Sequence, residues 1–398
     1  MCLSLSERKA VIVETSARYQ KSSRSQKKLI LNQAVELTEL NRNYLSWVLS
    51  RHGKSRVVYE NGRRVVLKAD VLARSGYQKP RIYGEELLAP LSRLWEISEY
   101  LCGKRLCPFV RAVLPGLYER AQIRLSPDVF QKLMVMSPAT MDRILIREKI
   151  KYRLKGRSTT KRGTLLKHQI PIRTSHDWNE TVPGFLEVDL VSHDGGLAKG
   201  DWCYTLTTTD IASTWTELRA VQNRAQCWTL EAMKDIQSHL PFVLKGIDSD
   251  SGGEFINAHF VQFCTDSSIQ FTRSRPSRKN DNCFVEQKND SVVRKTVGYF
   301  RYEGTEACEI LNRLYENVNL HVNYFQPSMK LKSKKRIGSR VTKIHHPPMT
   351  PMDRLLANEA VSEEDKNALR KKRASLDIIQ IHKEIKRGLR DLLMIKKK

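Results

Sequence analysis

The chain has 398 residues, more than a single apolar core usually covers, so two to four domains are expected. Lys and Arg number 69 against 43 Asp and Glu, a net charge of +26, which points first to nucleic acid, ahead of an anionic membrane surface or an acidic protein. No apolar run approaches the ~20 residues of a membrane helix, MCLSLSERKAVIVETSAR lacks a charged segment leading into an apolar one, and no histidine stands at ligand spacing beside Cys102 and Cys107; membrane-spanning, secreted and zinc-bound classes are not expected.

Residues 1–25, polar and rich in Ser, Lys and Arg, read as a loose arm. Helical period then sets in, with Leu29, Ile30 and Leu37 before a break at 38–40. Asn41 can cap a second helix carrying Tyr44, Leu45, Val48 and Leu49, which Gly53 can stop. A tight joint and a basic second helix (Arg42, Arg51, with Lys54 at its exit) suit a DNA-binding helix-turn-helix; an ordinary helical hairpin fits the pattern equally well. Strand-like RVVYE and RRVVLKA follow, then an amphipathic helix over 84–101 with Gly103 as its stop. Ser126-Pro127 and Ser137-Pro138 each place a capping serine before a proline, opening two more helices and a second candidate helix-turn-helix over about 126–150, with a helical hairpin again in competition. The basic stretch 147–173 is a solvated linker or one that tracks a phosphate backbone; Lys155, Arg157, Lys161 and Arg162 are the candidate contacts.

The pattern changes at Pro183. GFLEVDLVS, DWCYTLTTTDIAS and TWTELRAVQ read as three antiparallel strands. A helix over 226–239, the strand FVLKGIDSD, the helix AHFVQFCTDSS and the strand IQFTRSR follow, then a long helix from Cys283 to about Phe300 and a last one over about 305–322. Three antiparallel strands followed by alternating helix and strand make an α/β, mixed five-stranded sheet with flanking helices, in the order of ribonuclease H-like domains. Beyond it a basic, Pro-containing region ends in a helix whose Ile378, Ile381, Ile385, Leu389 and Leu392 form one apolar stripe, which reads as a packing face. The expected parts are an N-terminal arm and helix-turn-helix over 1–80, a second helical DNA-binding region over 81–150, a linker over 151–180, a core over 181–325 and a basic C-terminal region over 326–398.

Three carboxylates stand out. Asp189 falls inside the first, central strand, where a buried carboxylate costs several kcal/mol unless paired or metal-bound. Asp250 ends the fourth strand before Ser251-Gly252-Gly253, and Glu286 lies near the start of the long helix, with Val293 and Val297 expected on its face. Such a trio repels itself unless divalent cations intervene, and oxygen ligands suit Mg²⁺ or Mn²⁺. Two ions, bridged by Asp189 and held singly by Asp250 and Glu286, would activate a water or a DNA 3′-hydroxyl. Asp248 shares a strand face with Asp250, and geometry alone does not exclude it. Asp210 and Asp290 read as structural, and His193 as a loop histidine or a DNA contact. Arg278, Lys279 and Lys288 flank the third acid as candidate phosphate ligands.

The segments EVDLV, SDSGGEF and NDNCFVEQKN resemble the three signature blocks of the retroviral-integrase core, a core shared with the DDE transposases of bacterial insertion sequences. In that pattern the second block reads Asp-Asn-Gly-x-x-Phe and the third Val-Glu-x-x-Asn, with 35 residues between the acids; Asp250, Gly252 and Phe255 fit the second, Val285, Glu286 and Asn289 the third, and 35 residues separate Asp250 from Glu286. That spacing favours Asp250 over Asp248. Ser251 stands where the family usually has Asn; either side chain can hydrogen-bond the turn. The core resemblance covers about 180–325, and GKRLCPFVRAVLP, RSTTKRGTLLKHQIPIRT and LNRLYENVNLHVNYFQPSMKL carry it over nearly the whole chain. It implies a ribonuclease H-like fold and a transposase that binds the terminal inverted repeats of its element, frees 3′-ends and transfers them into target DNA. It further implies two Mg²⁺ or Mn²⁺ ions, a homodimer or larger assembly on double-stranded DNA, and a bacterial, cytoplasmic, nucleoid-associated location. A DNA-binding regulator with an inactive core and a metal-dependent nuclease are the alternatives.

Overall fold

The computed structural model describes residues 3–60, 63–71, 82–151, 172–173, 181–197, 199–250, 252–274 and 282–395. It divides into two compact units, Met1–Ile82 and Tyr83–Lys398.

The first unit opens with helix α1 (Leu5–Lys21), where a loose arm was expected. Two features outweigh the polar composition. Ser4 and Glu7 form a reciprocal capping box, and Ile12, Ser16 and Tyr19 fall on one buried face. Helix α2 (Arg24–Thr38) ends with Glu39 in the left-handed region, φ 54°, and the Asn41 side chain accepts from Asn43 and Tyr44 N–H to cap α3 (Arg42–Arg51). Ile12, Ile30, Leu31, Ala34, Leu45 and Leu49 form the core among these helices. An antiparallel hairpin follows, β1 (Ser55–Glu60) with β2 (Arg63–Lys68).

In the second unit a 3₁₀ turn (Glu85–Leu87) leads into α4 (Leu88–Ile97). Gly103, expected to stop that helix, instead opens α5 (Gly103–Glu119). A Cβ at Gly103 would sit 2.2 Å from the Pro138 carbonyl oxygen, so glycine is what lets this helix start reach the next hairpin; its N–H donates to Asp142 Oδ1 at 2.8 Å. Pro108 and Pro115 lie inside α5, yet Leu106, Phe109, Val110, Val113, Leu114 and Leu117 keep a continuous buried stripe that outweighs the missing donors. Helices α6 (Pro127–Val135) and α7 (Pro138–Ile144) start at the two Ser-Pro sites, capped by Ser126 and Ser137, and α8 (Ile146–Lys151) follows.

The sheet contains β3 (Ile172–Arg173), β4 (Phe185–Ser192), β5 (Tyr204–Asp210), β6 (Thr216–Val221), β7 (Gly246–Ser249) and β8 (Gln270–Ser274), in the order β3-β8-β7-β4-β5-β6. Strands β4, β7, β8 and β3 run parallel, and β5 and β6 are antiparallel. This is the mixed sheet expected from the sequence, with two residues of β3 added at one edge. Helices α9 (Gln226–His239) and α10 (Ala258–Asp266) contribute Met233, Ile236 and Phe260 to one core layer, over Leu186, Val188 and Leu206.

After the sheet come α11 (Cys283–Lys288), a π-helical turn (Asn289–Arg294), α12 (Lys295–Val297) and α13 (Gly304–Tyr324). A hairpin of β9 (Leu331–Ile337) and β10 (Arg340–His345), then α14 (Pro351–Leu356), α15 (Glu363–Ser375) and α16 (Ile378–Ile395), complete the chain. The second core layer joins Val191 and Leu218 of the sheet to Val293, Leu311 and Val318, and onward to Leu91, Leu106 and Phe109. Ile378, Ile381, Ile385 and Leu392 of α16 are buried in the same cluster. The helices of 83–145 thus share one continuous core with the sheet and its flanking helices.

Strand β6 is an edge, and α13 covers its open side. Asn312, Asn319 and Asn323 share one helical face. Their amide oxygens accept from Ala220, Leu218 and Thr216 N–H at 2.7, 3.1 and 2.9 Å. Their amide nitrogens donate back to the same three carbonyls at 3.0, 3.4 and 2.8 Å. The outward backbone groups of alternate edge residues are thereby satisfied within the chain.

Candidate active site

Period-two alternation puts Glu187 and Asp189 on one face of β4. The parallel register pairs Glu187 with Asp248 and Val188 with Ser249, so Asp189 and Asp250 come side by side one residue beyond. Two tiers of acids result on adjacent strands.

The outer tier is Asp189 with Asp250. Asp189 Oδ1 accepts from Leu190 N–H at 2.8 Å, and Oδ2 from Asn289 Nδ2 at 2.7 Å. Burial pushes the Asp189 carboxyl up to about 8, and the neighbouring carboxylates of Asp250, Glu286 and Glu254 add to the rise. Asp250 Oδ1 accepts from Gly252 N–H at 2.9 Å, and burial raises its pKa as well. Phe255, fully buried, anchors the turn from below.

The inner tier is Glu187 with Asp248. Asp248 Oδ1 accepts from the Thr272 hydroxyl. Glu187 does more: its Oε2 accepts from both Phe284 and Val285 N–H, each at 2.8 Å, at the first turn of α11. A buried carboxylate thereby fixes the start of the helix that carries Glu286 one residue later. Burial raises the Glu187 carboxyl to about 8. No motif in the sequence singles out Glu187. The signal is nonetheless present in FLEVDLV, where two acids two apart must share a strand face.

Glu286 itself is exposed. It was expected on the face of Val293 and Val297, but the π turn inserts between them and changes the helical phase. Val293 and Val297 are buried as expected, but within α11 Val285 and Lys288 take the inward positions and Glu286 does not. Glu286 acts electrostatically on both Asp189 and Glu187. Among the described residues no three acidic, thiol or imidazole side chains converge tightly enough to hold one ion. The donor chemistry of the outer tier still fits a hard divalent cation, because carboxylate oxygens crowd there and their repulsion adds to the rise that burial gives the Asp189 pKa.

Of the candidate DNA contacts, Arg42, Arg51 and Lys54 are exposed on α3 and its exit, with Arg51 over the Trp47 ring at 5.1 Å. Lys155, Arg157, Lys161, Arg162, Arg278 and Lys279 lie outside the described residues, as does Ser251. Lys288 is corrected: only 6% exposed, it sits on the inward face of α11, and burial drives its ammonium down to about 7. His193 is also buried, with Nε2 2.7 Å from the Thr205 hydroxyl, which lies 2.6 Å from the Tyr315 hydroxyl; it contacts the core rather than a ligand surface. Asp210 accepts from Gly184 N–H and from the Ser213 N–H and hydroxyl, closing the turn after β5.

The integrase core domain family matches residues 180–279, the segment that holds Glu187, Asp189, Asp248 and Asp250. The chain is 37% identical to the uncharacterized protein y4rM of Sinorhizobium fredii (strain NBRC 101917 / NGR234) over 352 residues, 88% of this chain and 96% of that protein.

The chain belongs to the integrase-core family.

It is also similar to a structure of the HTLV-2 integrase catalytic core domain in complex with magnesium, in dimeric form, at 14% identity and a TM-score of 0.27, covering 37% of this chain and 91% of that one. The family match spans β4 to β8 of the mixed sheet.

Proposed function

We propose that this integrase-core protein is a DDE transposase. It binds the terminal inverted repeats of its element through the N-terminal helices, cleaves the 3′-ends and transfers them into target DNA. The observation that carries the reading is the adjacent placement of Asp189 on β4 and Asp250 just past β7, with Glu286 of α11 near enough to act electrostatically on Asp189. Asp189 and Asp250 would hold a divalent cation, Mg²⁺ or Mn²⁺, and Glu286 would serve a second ion. When bound, the ions supply Lewis acidity to the phosphodiester and to the attacking oxygen.

The chain's own residues do the positioning. Asn289 donates to Asp189 and holds its carboxylate in one orientation. The Gly252 N–H does the same for Asp250, and Glu187 secures the helix start ahead of Glu286. Exposed cations of α3 hold the duplex outside the core. Joining two element ends requires at least two protomers, and the reaction takes place on bacterial cytoplasmic DNA.

The test uses the full chain, DNA carrying the element ends, and Mg²⁺. Asp250→Asn and Glu286→Gln are expected to abolish strand transfer of a pre-cleaved end while DNA binding persists. Wild-type rates in Glu286→Gln would overturn the assignment. A footprint on the ends without nicking by the wild-type protein would favour a DNA-binding regulator.

A further inference from the structure

The hairpin of β9 and β10 has no role in the site described above, and it is built unlike the rest of the chain. Residues 331–345 hold six Lys or Arg and no Asp or Glu. Its strands form a two-stranded sheet of their own, and every residue of β9 is exposed, as are the described side chains of β10. Its root is fixed. Ser328 and Met349 exchange backbone hydrogen bonds at 2.8 and 3.1 Å, and His346 N–H donates to Lys330 O at 2.9 Å. Arg354 also grips Ser328, donating to its hydroxyl at 2.7 Å and to its carbonyl. A fixed root therefore carries a blade whose described side chains all face solvent.

The register makes the blade unstable alone. Lys334 stands directly opposite Lys343. Like charges in a cross-strand pair repel, and an isolated two-stranded hairpin is marginal in water. By alternation, Lys334 and Arg336 share a face with Lys343, and Lys332 falls at a register shift near the root. Such a face needs a polyanion to offset its own repulsion. A second copy of a chain with a net charge of +26 is the wrong partner for it.

We infer that the β9–β10 hairpin is a DNA-binding arm that inserts as a two-stranded ribbon into the major groove, its Lys334–Arg336–Lys343 face meeting the phosphates. A ribbon of seven residues at ~3.4 Å each reaches about 24 Å, enough to cross a B-form major groove about 12 Å wide, which admits such a ribbon. The deep, narrow major groove of A-form RNA does not admit it. The inference rests on the proposed action on DNA and names an interaction surface that the proposed function leaves out.

The test separates this arm from the proposed chemistry by measuring binding alone. The full chain is titrated with a short DNA duplex of arbitrary sequence, without divalent metal, across a salt series. Lys334→Gln/Arg336→Gln/Lys343→Gln is expected to flatten the log–log salt slope by about 2–3, at roughly 0.9 for each phosphate no longer neutralised. Lys334→Glu gives readouts of opposite sign. It creates an ion pair with Lys343, so amide exchange in 331–345 of the free protein should slow while DNA affinity falls more than tenfold. A merely structural hairpin predicts slower exchange with unchanged affinity, and that result overturns the inference. Equal affinity for an RNA duplex, or a changed oligomeric state with an unchanged salt slope, overturns it as well. Because no cleavage is read, loss of nuclease activity would bear on the proposed function alone.

Discussion

Replacing Glu187 by alanine tests how the acidic site is assembled. The carboxylate accepts two N–H groups at 2.8 Å each, from Phe284 and Val285. Val285 is fully buried, so its N–H would be left without water, whereas Phe284 is half-buried and can regain some solvation. An orphaned buried donor costs about 1–3 kcal/mol, so one full penalty and one partial one give roughly 2–4 kcal/mol against the docking of α11. Glutamine keeps a carbonyl oxygen where Oε2 now accepts and removes repulsion from Asp248 and Glu286, so Glu187→Gln should stay within about 1 kcal/mol of wild type. The assay pairs urea unfolding with metal-dependent cleavage of an end substrate. Loosening α11 displaces Glu286, and a misplacement near 1 Å can cost ~10²-fold in rate. Glu187→Ala should therefore lose cleavage far more than Glu187→Gln. If alanine unfolds at the wild-type urea midpoint and cleaves at the wild-type rate, Glu187 does not secure the helix. If both variants lose cleavage equally, the charge matters and the acceptor geometry does not.

Burial holds the His193 pKa down near 3, well below its ordinary 6.5. The unfolded chain then binds a proton that the folded chain refuses, so this residue removes stability as pH falls from about 6.5 toward 3; the pH slope of stability in His193→Gln should be shallower in that window, and an unchanged slope would refute the assignment. Asn319→Leu strips partners from Leu218 N–H and C=O and from Glu217 Oε2, and should lower stability by about 3–6 kcal/mol, read as a lower urea midpoint and faster exchange of the Leu218 amide. Asp248→Asn keeps an acceptor for the Thr272 hydroxyl and should retain strand transfer that Asp250→Asn loses; the reverse outcome would mean that the wrong aspartate has been assigned to the site.

The sheet was legible because its strands alternate and its turns are marked, and the outer acids because they follow a spaced pattern. Of the inner tier Asp248 was visible but Glu187 was not, since it has no motif of its own and its role appears only when α11 arrives 97 residues later. Helix α5 was hidden by Gly103, Pro108 and Pro115, each a helix breaker in isolation, overridden here by an unbroken apolar face. The exposed hairpin lacked any apolar alternation to betray it. Lys288 and Glu286 exchanged expected environments because one π turn alters helical phase, which no residue pattern announces.

The asparagine ladder on β6 has a consequence for assembly. A strand offered by a neighbouring molecule finds every outward N–H and C=O of Thr216, Leu218 and Ala220 already engaged, and could bind only by peeling α13 away. Two protomers therefore cannot fuse their sheets into one ribbon through this edge. This edge therefore offers no template for the runaway strand addition that leads to fibres.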